Sequence, residues 1–428
     1  MSESIVIHPP AEPVRGRIRP PGSKSITNRA LVCAALAQGR SELSGALDSE
    51  DTNVMIDALG GVGIGVERFD EGERLAVTGC GGSVPPAAGD LFVANSGTTM
   101  RFLTAMLTLG QSRYRIDGIP RMRERPIADL LEALKQLGAH VSSESGNGCP
   151  PVVIEGDGLR GGEAAIRGDI SSQFLSGLMM AAPCAQAPVV LRVEGALVSV
   201  PYVEMTARVM ESFGAEVEQS DDYGRIGIAA PGGYRATKYA IEPDASAASY
   251  FLAAAAITGG EVTVEGLGAG SLQGDVRFAE CLGAMGCQVE IGSDAITVAG
   301  GELRGIDVDM NDISDTVQTL AAVALFAEGP TTVRNVAHIR HKETDRIQAV
   351  VDELRKLGAG AEATEDGMVI TPGEPRAAAI ATYNDHRMAM SFALAGLRIP
   401  RVEILDPGCT VKTYPGYFDD LRRLSGFR

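Results

Sequence analysis

The sequence is poor in the residues that build metal sites and disulfide frameworks. It has five histidines, none of them in an HExxH spacing, so a metal site would have to be built mainly from carboxylates. Its seven cysteines are an odd number without a CxxC pair, which argues against disulfide pairing and against structural zinc. We therefore expect buried thiols and no metal centre.

Long apolar runs are also missing. There is no stretch of 18 apolar residues and no charged-then-apolar leader at the start, whereas hydrophobic residues make up 45% and charged residues 22% of the chain. That balance predicts a soluble, cytoplasmic, globular protein without a membrane partner. At 428 residues the chain exceeds what one hydrophobic core supports, so more than one domain is expected.

Positive charge is scarce overall but locally concentrated. The 38 basic against 55 acidic residues leave a formal net charge of −17, which repels polyanions and argues against nucleic acid as a partner. Small anions are better suited, because the basic residues gather at a few turns. These residues are Lys24, Arg29, Arg101, Arg121, Arg123, Arg125, Lys342, Arg346, Arg387 and Lys412.

Six stretches repeat one design, a small-polar or acidic turn followed by an Ala/Leu/Met-rich helix, roughly every 70 to 75 residues. The segments LAAAAI, LAAVALF and FLSGLMMAA are apolar nearly all round, which predicts interior helices. Because a helix start offers unpaired N–H groups, several of them facing one cavity would bind phosphorylated or carboxylated substrates. The stretches begin at Gly22, Asn95, Asp169, Asp244, Asp312 and Asp385.

A second, amphipathic helix in five of the units ends in glycine and runs into an alternating segment typical of a strand. Each unit is therefore strands plus two helices, with the sheets wrapped around the apolar helices. We predict an α/β fold of two domains, each an inside-out barrel of three repeats: residues 23–241, and residues 1–22 with 242–428. The predicted left-handed glycines are Gly60, Gly138, Gly214, Gly286 and Gly358.

Each motif taken alone has an ordinary interpretation. In PGSKSITNRA, Ser23 or Ser25 suits a helix cap and Lys24 a solvated side chain. In HIRHKETDRI, Lys342 and Arg346 share a helix face, as a surface charge ladder would. NSGTTMR suits a tight turn, and DISSQ suits a cap. Only their combination points to a site.

Taken in order, PGSKS-TNR, NSGTTMR, PRMRERPI, DISSQ, PDASAASYFLAAAAI, HKETDRI, NDHRMAM and DPGCTVKTYPGYF resemble the 5-enolpyruvylshikimate-3-phosphate synthase family, 3-phosphoshikimate 1-carboxyvinyltransferases, over almost the full chain. The resemblance implies two domains of three βαβαββ-type units, joined by a double crossover and closing over the substrates. It implies transfer of the enolpyruvyl group of phosphoenolpyruvate to the 5-hydroxyl of shikimate 3-phosphate, in the shikimate pathway to chorismate and aromatic amino acids. It implies no metal or organic cofactor.

Residue by residue, the resemblance implies one catalytic set and two substrate-binding sets. The catalytic set is Lys24, Asp315, Glu343 and His386. The set implied to bind shikimate 3-phosphate is Lys24, Ser25, Arg29, Ser171, Ser172, Gln173, Ser199, Tyr202, Asp315 and Lys342. The set implied to bind phosphoenolpyruvate is Lys24, Asn95, Gly97, Arg125, Gln173, Arg346, Arg387 and Lys412.

The implied addition and elimination need a base for the 5-hydroxyl and an acid for the methylene carbon. We assign the role of base to Asp315, with Lys24 as the alternative. We assign the role of acid to Glu343, because burial of its side chain would keep the carboxyl group protonated. Two departures from the family pattern are Phe102, after Arg101, and His338 near the shikimate ring. The resemblance implies glyphosate as an inhibitor; Gly97 is retained, while Phe102 leaves the sensitivity open.

Three other functions fit parts of the pattern. A UDP-N-acetylglucosamine enolpyruvyl transferase shares the donor, but it usually carries a reactive cysteine near the position of IPRMRERPI, which has none. A non-catalytic phosphometabolite-binding protein would need the basic residues but not the acids. An RNA-end cyclase conflicts with the acidic composition. We expect a monomer acting on small molecules.

Overall fold

The computed structural model describes residues 4–87 and 89–427. The chain divides into two compact units: an N-terminal unit, Gly22–Ile241, and a C-terminal unit, Met1–Pro21 with Glu242–Arg428. It therefore passes from one unit to the other at Pro21 and again at Glu242. No helix of the described residues is long and apolar enough to span a membrane.

Helices and strands alternate along both units. The α-helices are α1 Lys24–Leu36, α2 Glu50–Gly61, α3 Gly97–Met106, α4 Ala128–Gln136, α5 Ser172–Ala181, α6 Val200–Ser212, α7 Ala245–Thr258, α8 Phe278–Ala284, α9 Val317–Ala324, α10 Arg346–Lys356, α11 His386–Ala393 and α12 Tyr417–Ser425. The strands are β1 Ser4–Ile7, β2 Arg15–Ile18, β3 Ala37–Ser44, β4 Val66–Phe69, β5 Arg74–Cys80, β6 Leu91–Phe92, β7 Arg113–Asp117, β8 His140–Ser143, β9 Val152–Glu155, β10 Gly162–Arg167, β11 Val189–Glu194, β12 Val217–Gln219, β13 Arg225–Ile228, β14 Tyr234–Arg235, β15 Lys238–Ala240, β16 Glu261–Glu265, β17 Gln288–Ile291, β18 Ala295–Ala299, β19 Asp307–Asp309, β20 Thr331–Arg334, β21 Gly360–Ala363, β22 Met368–Thr371, β23 Ala379–Ile380 and β24 Val402–Leu405.

Each repeat forms one small sheet. In the N-terminal unit the orders are β14-β3-β5-β4 (β15 also pairs with β3), β6-β7-β9-β8 and β10-β11-β13-β12; in the C-terminal unit they are β17-β18-β16-β2, β19-β20-β22-β21 and β1-β24-β23. Each sheet contains a parallel strand pair, and in four of the six sheets that pair flanks a buried helix, as in β10 and β11 with Gly162 opposite Val189. The predicted α/β fold of six repeats, three in each unit, is confirmed. Among residues 4–87 and 89–427 no sheet closes on itself, so each unit contains three open sheets instead of a closed barrel.

At each of the two crossings, a strand that belongs to a sheet of one unit leads directly into a helix of the other unit. In the C-terminal unit β2 pairs parallel with β16, but along the chain β2 leads into α1 of the N-terminal unit. Conversely, β15 pairs parallel with β3 and leads into α7. Each unit therefore contains one repeat whose first strand and buried helix come from distant parts of the sequence.

The apolar helices lie inside, as predicted. All residues of α7 from Ala245 to Ile257 are buried, and so is every residue of α3 and α9. Short polar side chains cap the helix starts by accepting a hydrogen bond from a backbone N–H, which satisfies a donor that the helix itself leaves unpaired. The capping residues are Ser23, Ser96, Ser171, Asp244 and Asp385.

The left-handed glycine prediction is confirmed at four of its five positions and wrong at Gly60. The four positive φ angles are 89° at Gly138, 87° at Gly214, 109° at Gly286 and 100° at Gly358. Helix α2 instead continues through Gly60 to Gly61, and Gly63 adopts the left-handed conformation with a φ of 74°. Another glycine lies three residues later, so the left-handed residue could follow a helix that continues through Gly61.

Candidate active site

In the C-terminal unit, five charged side chains meet at the starts of the buried and amphipathic helices. Asp315 lies in the 3-10 turn before α9, Glu343 lies just before α10, and Arg346 is the first residue of α10. Asp385 caps α11, and Arg387 lies in its first turn. We call these five residues the carboxylate–arginine cluster.

Arg346 is the centre of this cluster. Its side chain is 2% exposed, and its Nε and Nη2 donate to the two oxygens of Asp385 at 2.8 and 3.2 Å. Its Nη1 donates to Asp315 Oδ1 at 3.1 Å, and Nη2 also donates to Glu343 Oε2 at 2.9 Å. Burial by itself lowers the pKa of Arg346, but Asp385, Glu343 and Asp315 together raise it above its ordinary value. Arg346 is therefore a fixed positive charge inside the unit.

Arg387 holds the other side of Asp315. Its Nη2 donates to Asp315 Oδ2 at 2.7 Å and to Ser246 Oγ at 3.3 Å, and its Nη1 donates to Tyr250 Oη at 3.4 Å. The Nζ of Lys342 lies 3.8 Å from Asp315 Oδ1. Asp315 is therefore a carboxylate with cations on both oxygens, which stabilises its ionised form.

Glu343 is flanked by two cations. Its Oε2 accepts from Arg346, while its Oε1 lies 3.8 Å from Lys412 Nζ, and its side chain is 8% exposed. His386 is 1% exposed, with Nδ1 3.6 Å from Asp385 Oδ1. The structure thus brings together Asp315, Lys342, Glu343, Arg346, His386, Arg387 and Lys412, all predicted from the sequence.

Sequence reasoning missed two contributors to this cluster and the pairing of a third. Asp385, which the sequence placed at a helix start with His386 and Arg387, is fully buried and accepts hydrogen bonds from Arg346 and from the backbone N–H of Arg387. Ser246 and Tyr250 lie within the first two turns of α7 and bind Arg387. Asp385 lies 39 residues after Arg346, and nothing in the local sequence indicates that these two side chains form an ion pair.

In the N-terminal unit, Arg29 is 1% exposed and tightly held. Its Nε donates to Thr206 Oγ1 at 2.7 Å and its Nη1 to the Ser25 carbonyl at 2.9 Å. Its Nη2 donates to Ser176 Oγ at 3.1 Å and to the Tyr202 carbonyl at 3.2 Å. Burial lowers the pKa of Arg29 to about 10, which still leaves it charged at neutral pH. Four of its five N–H groups thus serve the fold.

Phe102, one of the two departures from the family pattern, is a packing partner of Arg29. It is 1% exposed, and the Arg29 guanidinium lies over its ring at 5.2 Å from the centroid. A cation over an aromatic face is stabilised by the ring quadrupole. Phe102 therefore packs inside the unit and helps to hold the Arg29 guanidinium in place.

Gly97 lies beneath two guanidinium groups. A Cβ at this position would lie 2.5 Å from Arg125 Nη2 and 2.7 Å from Arg101 Nη1. Arg125 is 3% exposed, and its Nη1 donates to the Asn95 carbonyl at 3.1 Å and to Asn95 Oδ1 at 3.3 Å. The sequence predicted a close approach at Gly97, and the approaching groups within this unit are arginines.

The predicted phosphate-binding serines lie at the starts of two neighbouring helices. Ser171 caps α5 by accepting from Gln173 N at 3.3 Å, and Ser172 is 8% exposed. Ser199 directly precedes α6 in a left-handed conformation with a φ of 54°, and Tyr202 is half-buried in the first turn. The helices α5 and α6 contact each other, and Ser176 Oγ of α5 lies 2.8 Å from Thr206 Oγ1 of α6. Lys24 and Ser25 begin α1, which contacts both helices.

Gly97→Ala is expected to lower kcat/KM for phosphoenolpyruvate about 10-fold, because the new methyl group displaces the Arg125 guanidinium. Steady-state kinetics with each substrate varied in turn would measure the effect. Gly60→Ala is the control: no heavy atom lies within 4 Å of its Cβ position, and it lies inside α2, so kinetics should not change. Wild-type kinetics in Gly97→Ala would contradict the proposed role of Arg125.

His338 is expected to make the stability of the protein pH-dependent. Its Nε2 lies 2.9 Å from Ser314 Oγ, and burial, helped by Lys342, lowers its pKa to about 3. The unfolded chain takes up a proton below pH 6.5, whereas the folded chain does not, so acid lowers the free energy of unfolding. From pH 6.5 to 4.5 the wild type should lose about 2 kcal/mol more than His338→Asn, measured by urea unfolding. His140→Asn, which removes an exposed histidine, should behave like the wild type.

The structure shows two sets of groups, one in each unit. The described residues contain no cluster of three or more histidine, cysteine, aspartate or glutamate side chains arranged to hold a metal. The C-terminal unit presents a network of carboxylates and cations suited to proton transfer and anion binding. The N-terminal unit presents hydroxyls, helix starts and arginines suited to phosphate and carboxylate groups.

Comparison with known proteins gives one consistent result. A family model described as EPSP synthase (3-phosphoshikimate 1-carboxyvinyltransferase) matches residues 9–421. The chain is 50% identical over 407 residues to the 3-phosphoshikimate 1-carboxyvinyltransferase of Nostoc punctiforme, covering 95% of each protein. It is 49% identical over 442 residues to the chloroplastic 3-phosphoshikimate 1-carboxyvinyltransferase of Arabidopsis thaliana, covering 99% of this chain and 85% of that one.

Solved structures agree with this relationship. An EPSP synthase from Acinetobacter baumannii matches with a TM-score of 0.81 at 27% identity, covering 99% of this chain and 98% of that chain. The enolpyruvyl transferase NikO from Streptomyces tendae matches with a TM-score of 0.78 at 17% identity, which shows the shared fold alone. With a family model spanning most of its length and relatives at half identity, this chain belongs to the EPSP synthase (3-phosphoshikimate 1-carboxyvinyltransferase) family.

Proposed function

We propose that this chain transfers the enolpyruvyl group of phosphoenolpyruvate to the 5-hydroxyl of shikimate 3-phosphate and releases phosphate. The observation that carries this function is the full-length relationship to proteins named 3-phosphoshikimate 1-carboxyvinyltransferase at 49–50% identity. The chain is accordingly a transferase of the shikimate pathway. Its buried charge network supports the chemistry, because an addition–elimination at a vinyl carbon needs positioned acids, bases and anion receptors.

Substrate binding by the N-terminal unit is proposed to use its helix starts. The serines at the starts of α5 and α6 suit the phosphate of shikimate 3-phosphate, and the remaining N–H of Arg29, beside Ser25, suits its carboxylate. Gln173 and Tyr202 lie within the same first turns and suit the ring. Asn95, Gly97 and Arg125 are proposed to contact phosphoenolpyruvate.

Substrate binding by the C-terminal unit is proposed to use its cations. Two carboxylates and two phosphates bring about five to six negative charges to the protein. Arg346, Arg387 and Lys412 are buried cations beside the acids, so they suit the anionic groups of phosphoenolpyruvate. Lys342 lies beside Asp315 and suits shikimate 3-phosphate.

Asp315 is proposed to take the proton of the 5-hydroxyl, with Lys24 as the alternative. Arg346 and Arg387 keep the carboxylate ionised, so it has a lone pair for the proton. The same pairing makes it a weak base. Its negative charge also stabilises the cationic character that builds at the vinyl carbon.

Glu343 is proposed to deliver a proton to the methylene carbon and to take it back during elimination. Burial was expected to retain its proton, but Arg346 and Lys412 beside it favour the carboxylate. An incoming phosphate or carboxylate binds the same two cations and weakens their hold on Glu343. Substrate binding is therefore proposed to load Glu343 with its proton, and His386 lies close by in the same unit.

Phosphate release from the purified protein, with each substrate omitted in turn, tests the function. Release only when both shikimate 3-phosphate and phosphoenolpyruvate are present is the expected result. Release with UDP-N-acetylglucosamine in place of shikimate 3-phosphate would instead favour the rival transferase. Calorimetric binding of both substrates without release would favour a metabolite sensor. Glyphosate is proposed to compete with phosphoenolpyruvate, which an inhibition series at varied donor concentration would show.

A further inference from the structure

A buried acid outside the predicted site residues reaches the carboxylate–arginine cluster through one hydroxyl. Asp275 lies in the 3-10 turn Gly274–Arg277, between β16 and α8, and is 4% exposed. Its Oδ2 accepts a short hydrogen bond from the hydroxyl of Ser246, which is 6% exposed in the first turn of α7. Ser246 Oγ is in turn 3.3 Å from Arg387 Nη2. Asp275, Ser246 and Arg387 thus form a continuous relay from the turn to the cluster.

The direction of this relay follows from the chemistry of a hydroxyl. A serine side chain has one hydrogen to donate and lone pairs to accept with. Because an ionised Asp275 can only accept, the hydrogen of Ser246 points to Asp275 and an oxygen lone pair faces Arg387. In Asp275→Asn the new amide can turn its NH2 group towards Ser246 and donate to the hydroxyl oxygen. The hydrogen of Ser246 is then no longer held away from the Arg387 guanidinium, which repels it.

The orientation of Arg387 depends on its hydrogen-bond partners. Its guanidinium is planar, so bonds to Asp315, Ser246 and Tyr250 help to set the plane in which its other N–H groups point. Asp315 is itself shared with Arg346 and stands beside Lys342. Ser246 is a partner of Arg387 that is held by Asp275, from outside the cluster.

We propose that Asp275 is a positioning residue for Arg387: through Ser246 it holds the guanidinium in the orientation that receives phosphoenolpyruvate. This inference builds on the proposed function, in which Arg387 binds the donor. In this role Asp275 acts through Ser246 and Arg387 rather than on the reacting atoms. Its removal should therefore weaken donor binding far more than acceptor binding.

Holding a carboxylate at this position destabilises the fold. Burial, followed by the nearby charge of Asp315, raises the pKa of Asp275 to about 6, against the opposing effects of Ser246 and Arg387. A raised carboxyl pKa means that the carboxylate, which still predominates at pH 7, is less stable in the folded chain than in the unfolded chain. An amide would fill the same space without that cost. A buried acid retained at a cost in stability is typical of a residue kept for function.

The test compares Asp275→Asn, Ser246→Ala and the double variant with the wild type. Each variant should raise KM for phosphoenolpyruvate about 5- to 10-fold and change KM for shikimate 3-phosphate by less than 2-fold. The double variant should be no worse than the single ones, because the two residues act in one relay. Asp275→Asn should also keep or raise the Tm at pH 7, whereas a merely structural acid would lower it. Asp307→Asn, which changes an exposed acid of the same unit, is the control and should leave both KM values unchanged.

The contrary results are distinct. Equal increases in both KM values, a lower Tm for Asp275→Asn, or additive effects in the double variant would each overturn the relay. Phosphate release by the wild type that requires both substrates first establishes the proposed function. In that active enzyme, an unchanged KM for phosphoenolpyruvate then counts against Asp275 alone.

Discussion

Replacement of Glu343 by glutamine is expected to lower turnover by 100-fold or more while both substrates still bind. Glutamine keeps the shape of the side chain and can still accept from Arg346, but it cannot carry a proton to carbon. The lost charge also leaves Arg346 and Lys412 freer to bind the donor, so KM for phosphoenolpyruvate should hold or fall. Phosphate release under saturating substrates, with calorimetric binding of shikimate 3-phosphate, measures both effects.

The matched control is Glu362→Gln, which changes an exposed glutamate on β21 and should leave turnover unchanged. Turnover of Glu343→Gln at the wild-type level would remove Glu343 from the mechanism. A large rise in both KM values with little change in kcat would instead make it a binding residue. The kcat and KM effects therefore separate the chemical role from the electrostatic one.

Arg346→Met is expected to lower the free energy of unfolding by about 3 kcal/mol or more. It removes the guanidinium that three buried or nearly buried carboxylates share, and an unpaired buried charge is strongly destabilising. Arg387 and Lys412 compensate in part, since they stay beside Asp315 and Glu343. Urea unfolding followed by circular dichroism measures the loss.

Arg334→Met is the control for this variant. Arg334 also pairs with an aspartate, Asp307, but both side chains are at least half exposed, so the loss should stay below about 1 kcal/mol. Similar losses in the two variants would show that the cluster does not depend on Arg346. Arg346→Lys keeps the positive charge but loses the planar guanidinium that binds several carboxylates at once. This variant should therefore stay folded and still lose most of the enzyme's turnover.

The local features of this protein were predictable from its sequence. The caps at Asp244 and Asp385, the interior helix α7 and the left-handed Gly138 each depend on residues within about one helical turn. Their repetition along the chain predicted six units and the α/β fold. Gly60 shows the limit, because a glycine permits a helix end without requiring one, and α2 continues to Gly61.

Only the tertiary structure decided which charges meet. Arg346 pairs with Asp385, 39 residues further on, and Arg387 meets Ser246, 141 residues earlier, because their helix starts lie at one end of the same unit. Asp275 joins that network from a turn without any motif. The sequence by itself therefore determined the repeats, the caps and the kinds of groups at the helix starts. Which partners these side chains bind, and how the side chains are oriented, depends on sheet order and on helix packing between distant segments. No local sequence pattern predicts either.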